Sequence, residues 1–143
     1  MVKKISPLAP KSFPKIPNIK GVEIGTARSG VKYKGRNDIF TAIFDKGTSV
    51  AGVFTQSRVP AEPVTFCKKN IVDGKARALI VNAGFANAYT GAKGKKINKS
   101  ISSNVKKILK CNEKDIFICS TGVIGEQIPL RPTNKSITQS LKE

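Results

Sequence analysis

The hydrophobic and polar positions divide the chain into a proline-spaced start, a β-rich front half and an alternating strand–helix back half. Residues 1–20 carry Pro7, Pro10, Pro14 and Pro17, which lack an N–H and hold φ near one value. They predict an extended arm lying on a surface, followed by a single domain over 21–143. Three short β runs are expected near 22–28, 38–45 and 49–55, separated by the turn-rich segments SGVKYKGRND and DKGT. The period then changes. Val64, Cys67 and Ile71 fall on one side of a helix, with Pro60 or Pro63 in its first turn. ARALIVNAG is a continuous apolar run of the kind buried on both faces. Over 91–112, Ile97, Ile101, Val105, Ile108 and Leu109 form an apolar stripe with lysines opposite, which predicts the clearest helix. NEKD ends that helix and IFICST reads as the next strand. RPTNKSITQSLKE is polar and weakly periodic, and Pro132 is expected to interrupt any helix there.

Charge changes the picture more than size does. The 143 residues suit one domain with an aliphatic core. The net charge of +17 comes from 21 Lys and 5 Arg against 9 acids. The lysines are dispersed along the chain, whereas a nucleic-acid binder clusters its cations and interleaves arginines and aromatics. A solvated lysine-rich surface is the expected reading, and no nucleic-acid partner is expected. The three cysteines form no C-x-x-C pair, so neither a disulfide scaffold nor a metal site is expected. No apolar run has signal-peptide or membrane-spanning length. A reduced, cytoplasmic setting without membrane contact fits these features.

Histidine is absent, which removes Ser-His-Asp and Cys-His chemistry from this chain. Any acyl transfer must activate its nucleophile differently, for example through an N-terminal amine. Two glycine-bearing segments are candidates for chemistry. VNAGFANAYTGAKGKK resembles a phosphate loop in setting but fails the Walker A spacing, because Tyr89 stands where the first glycine belongs and Lys96 where the hydroxyl belongs. Its plainer reading is a strand-to-helix turn in which Asn82 and Asn87 satisfy backbone groups, with a part in shaping a ligand pocket as the alternative. In STGVIGEQIP, a hydroxyl and a backbone N–H at Thr121 and Gly122 could converge on an oxyanion. A tight turn, with Thr121 capping a following helix, is the competing reading. No cofactor is suggested by any segment.

Four blocks in order, SPLAP, GRNDIFTAIFDKGTSVAGVFTQSRVPAEPV, VNAGFANAYTG and STGVIGEQIP, closely resemble the amino-terminal part of ornithine acetyltransferase, the bifunctional glutamate N-acetyltransferase family of arginine biosynthesis. The resemblance runs from Ser6 to Pro129. It implies an α/β layered sandwich of the self-cleaving, N-terminal-threonine type, present as a partial domain. It also implies a precursor that cleaves into α and β chains and assembles as two of each. A threonine heading the β chain would take acetyl from N-acetylornithine, or in some members from acetyl-CoA, and pass it to glutamate. The family's oxyanion hole corresponds to Thr121 and Gly122. Its lysine-bearing motif and Ala-Thr-Met-Leu-like cleavage site correspond to positions past Glu143, so the chain is expected to be an α-chain fragment that lacks the nucleophile and is inactive alone. Phe85 and Tyr89 replace smaller or more polar residues often seen in the family. The alternative is a non-catalytic basic remnant that binds an anionic partner.

Overall fold

The structure is a computed structural model that describes residues 7–142; residues 1–6 of the expected arm, Ser6 of its SPLAP block among them, lie outside these. Residues 7–19 form no helix or strand, and Leu8, Phe13, Ile16 and Ile19 are exposed along them. Four strands follow: β1 Val22–Ala27, β2 Ile39–Phe44, β3 Ala78–Phe85 and β4 Ile116–Val123. They build one sheet in sequence order. β1 to β3 are antiparallel neighbours, whereas β4 pairs with β3 in parallel. A parallel neighbour requires a crossover, and the crossover is helix α2, Gly91–Leu109. Helix α1 spans Glu62–Asn70 and α3 spans Leu130–Ser140.

Strand alternation sends Ile39, Ala78, Ile80, Ile116 and Ile118 to one face, where α2 contributes Ile97, Ile101 and Val105 and α3 contributes Ile137. The predicted stripe of α2 therefore lies on the core as its spacing requires. Lys110 adopts a left-handed conformation and ends the helix, and the NEKD segment forms a single tight turn whose Lys114 N–H donates to Asn112 Oδ1 at 3.2 Å.

Three expectations are corrected. No strand forms at 49–55; Ser49 makes an isolated bridge to Lys75, and Val53 is 98% exposed. The local apolar spacing was right for a strand, but no neighbouring strand pairs with it. The apolar run of β3 is fully buried on one face, whereas Leu79, Val81 and Ala83 on the other are partly buried, Leu79 against a smaller cluster with Cys67 and Phe117. Finally, Pro132 does not interrupt a helix. It is the third residue of α3, where an N–H has no intrahelical acceptor to lose, so the ring fits the first turn.

Helix α3 approaches the sheet closely because Gly25 lacks a side chain; a Cβ there would collide with the Ser140 carbonyl. Beside it Thr41 Oγ1 and Ser140 Oγ are 2.6 Å apart, both buried. Small polar residues at 133, 136 and 140 thus make a packing face that hydropathy alone reads as surface. Because Ile137 is fully buried in this layer, Ile137→Ala should lower unfolding free energy by about 2–5 kcal/mol. Val53→Ala should change it by less than about 0.5 kcal/mol. Urea denaturation of both variants checks the contrast; equal effects would show that α3 is not part of the folded layer.

Candidate functional site at the ends of β3 and β4

The parallel strands β3 and β4 both run toward one end of the sheet, the position where open α/β sheets commonly hold ligands. Thr121 and Gly122 stand there, within β4, which continues two residues beyond the IFICST run. No helix starts near Thr121, so helix capping is not its part. The next helix begins at Leu130. Thr121 is exposed, and its hydroxyl has no hydrogen-bond partner among the described residues.

Gly122 pairs directly with Gly84 of β3. Their φ values are +134° and +111°, in the left-handed half of conformational space that glycine enters freely. A Cβ on Gly122 would fall 2.6 Å from the Phe85 nitrogen and against the Gly84 carbonyl. The missing side chain therefore lets two strands meet, and its vacant direction points into β3 and not toward a reacting group. Gly84 is closed on its other side by the β1–β2 loop, where a Cβ would lie 2.8 Å from Lys32 Cβ. Lys32 in turn reaches Glu126 at 2.6 Å and lies 5.3 Å above the Phe85 ring. The loop carrying Lys32 is fastened by buried Asp38, which accepts from the Ser29 N–H at 2.6 Å and the Ser29 hydroxyl at 2.7 Å.

Helix α1 covers part of the open edge of β4. Asn70 Nδ2 donates to the Ile116 carbonyl at 2.8 Å, and Cys67 Sγ contacts both the carbonyl and the N–H of Ile118, at 3.2 and 3.4 Å. Backbone groups of alternate residues face the same side of a strand. By that alternation the Ser120 N–H turns to this same edge, whereas Gly122, at positive φ, leaves the extended pattern. Val123, of the opposite parity, accepts from the Ala86 N–H at 3.0 Å on the β3 side.

The asparagines of the glycine-rich segment hold the loop, as their plainer reading required. Asn82 accepts from Ser120 Oγ at 2.6 Å and donates to the Phe85 carbonyl at 2.9 Å. Asn87 is fully buried; it donates to the Gly94 carbonyl and Asn98 and accepts from Thr90. Gly94 packs into this cluster, where a Cβ would meet Thr90, Asn87 and Glu62.

Burial pushes the thiols of Cys67, Cys111 and Cys119 above the ordinary cysteine range. They are poorly suited to nucleophilic work, which needs the thiolate. No group of side chains with metal-binding composition occurs among the described residues, and no described helix is long and apolar enough to cross a membrane. One feature lay beyond sequence reasoning: a cleft of about 490 Å³ beside Ile124, lined by Arg58, Glu62, Thr65, Thr90 and Lys95 among others. Residues 58–65 and 88–95 meet only in the fold.

Comparisons with known proteins agree with this architecture. The chain is 52% identical over 124 residues to the arginine biosynthesis bifunctional protein ArgJ of Mesorhizobium japonicum, covering 87% of this chain and 30% of that protein. It is 50% identical over 128 residues to the ArgJ protein of Brucella suis, covering 90% of this chain and 31% of the relative. The chain thus spans about 30% of the length of these curated relatives. Among solved structures, it resembles ArgJ from Bacillus halodurans with a TM-score of 0.79 and 33% identity, over 84% of this chain and 63% of that one. It resembles the ornithine acetyltransferase of Mycobacterium tuberculosis, solved with ornithine, with a TM-score of 0.82 and 28% identity, over 87% and 67% of the two chains. The profile of the ArgJ family matches residues 23–143, and the chain belongs to that family.

Proposed function

We propose that this chain is the oxyanion-holding part of an acetyltransferase that moves acetyl from N-acetylornithine to glutamate in arginine biosynthesis. The observation that carries the reading is the juxtaposition, at one strand end, of an exposed, unpartnered Thr121 hydroxyl with Gly122, exposed beside it. In this reading the nucleophile is a threonine heading a separate β chain, freed by self-cleavage, and its own amine takes the hydroxyl proton. Attack on the acetyl carbonyl places negative charge on oxygen, which Thr121 and Gly122 receive. Collapse expels ornithine as the amine accepts that proton. The amine of glutamate then attacks the acetyl-threonine through a second oxyanion at the same donors. The donors cost little reorganisation, because Gly84, Lys32 and the Asn82 bonds hold their backbone before substrate arrives.

The arm at 1–20, the single domain over 21–143, the assembly of two α and two β chains and a cytoplasmic location belong to the same proposal. The alternative of a basic remnant has no comparable feature in its favour; charge dispersed over a surface marks no one docking face.

Three outcomes test the reading. The isolated chain should give no acetyl transfer from N-acetylornithine to glutamate, because it carries the oxyanion donors without the threonine; turnover by the pure chain would refute it. In the assembled enzyme, Thr121→Ala should lower kcat about 10²–10³-fold, with a smaller change in KM and unchanged unfolding. Thr121→Ser, which keeps the hydroxyl, should restore most of the rate. Equal rates for the Ala and Ser variants would sink the hydroxyl's role. Gly122→Ala should differ in kind, lowering stability by about 1–3 kcal/mol as well as activity, since its Cβ enters β3.

A further inference from the structure

Two of the cysteines meet in the fold although they stand far apart in the chain. Cys67 lies on the buried side of α1, and Cys119 is exposed on β4. Cys67 Sγ is 3.2 Å from the Ile118 carbonyl oxygen and 3.4 Å from the Ile118 nitrogen, one residue short of Cys119. Strand alternation decides the face. Ile116 and Ile118 point into the main core, whereas Phe117 packs with Cys67 in the smaller cluster. Cys119 therefore shares the face of Phe117 and Cys67. Both thiols line one cavity of about 220 Å³, walled also by Phe54, Pro63 and Val64 among others. They are close enough that negative charge on Cys119 opposes charge on Cys67. Cys111 stands elsewhere, against the main core and within electrostatic reach of Asp115 and Arg77.

We propose that Cys67 and Cys119 form a reversible intrachain disulfide, driven by peroxide, that clamps helix α1 to strand β4. The bond requires nothing of the acetyl-transfer reading. The exposed Cys119 reacts first. Its thiolate attacks one oxygen of hydrogen peroxide, the O–O bond breaks, and a sulfenic acid and one water result. Cys67 then attacks the Cys119 sulfur; the S–O bond breaks, and the departing hydroxide takes up the Cys67 proton as a second water. Two electrons leave the thiol pair and reduce one peroxide to two waters. The exchange removes the Cys67 S–H that donates to the Ile118 carbonyl, a weak hydrogen bond given up for a covalent one. Desolvation holds both thiols above the ordinary cysteine range, which keeps the thiolate scarce at neutral pH. The pair thus rests reduced and answers sustained peroxide slowly, in keeping with a clamp and not with a catalyst. Because it joins residues far apart in the chain, the bond restricts the unfolded state strongly.

The experiment exposes the 143-residue chain to equimolar hydrogen peroxide under native conditions, then maps its disulfides by digestion and mass spectrometry. The dominant product should be a monomer with its free thiol at Cys111 and a peptide linking residues 67 and 119. Dithiothreitol should restore all three thiols. The oxidised monomer should melt about 5–10 °C above the reduced one. Cys119→Ser, at an exposed position, should leave the fold intact and abolish both the linked peptide and the gain in melting temperature. Cys111→Ser should keep both. A link through Cys111, a disulfide-bonded dimer, or oxidation that ends at a Cys119 sulfinic acid with Cys67 still free would overturn the assignment. So would an oxidised monomer that melts no higher than the reduced one.

Discussion

β3 and β4 can run as close as they do at Gly84 and Gly122 only because Gly122 has no side chain, and the β1–β2 loop can close over Gly84 only because Gly84 has none. Both hold positive φ, and a Cβ on either would enter occupied space, against β3 in one case and against Lys32 in the other. The rest of the strand ends is arranged around that contact. The β1–β2 loop folds over Gly84, Lys32 bridges it to Glu126 beyond β4, and Val123 and Gly125 tie β4 to the loop after β3. A strand end that would otherwise fray is thereby fixed from three sides, which is the condition for hydrogen-bond donors to be preorganised.

The exposed edge of β4 is the complementary constraint. Unpaired strand edges invite association with other chains, and α1 blunts this one with side chains in place of a strand. Asn70 and Cys67 satisfy Ile116 and Ile118, contributing roughly 1 kcal/mol per bond. Asn70 lies at Ile116 and Cys67 at Ile118, so the amino-terminal end of α1 faces Ser120, beside Pro63 and Val64, and Gly122 beyond it stays exposed. The same helix thus stabilises the sheet and leaves the far end of β4 exposed.

Elements whose neighbours are set by their own periodicity were legible from the chain. The Ile97, Ile101 and Val105 spacing fixed α2 and its buried side, and the strands flanking it followed. Legibility failed where a partner decided the outcome. The run at 49–55 has strand-like residues and no strand to pair with, and α3 owes its burial to small polar residues that fit over Gly25. Pro132 misled because its effect depends on distance from the helix start, which hydropathy does not reveal. At the site, Thr121 and Gly122 were picked out through four blocks in register, not by local chemistry. The reason Gly122 must be glycine lies in its register with Gly84, 38 positions earlier, as does the Asn82–Ser120 bond. Cys67 and Cys119 carried no local pattern at all, until the fold set them on one cavity.

The central claim is that an acetyl oxygen sits between Thr121 and Gly122. A crystal structure of the assembled enzyme trapped with its nucleophilic threonine acetylated measures this directly. The account predicts the acetyl oxygen about 2.7–3.1 Å from both the Thr121 hydroxyl and the Gly122 nitrogen, with the Gly84–Gly122 pairing unchanged. An acetyl oxygen held by other donors, or directed into solvent with Thr121 and Gly122 unengaged, would contradict it.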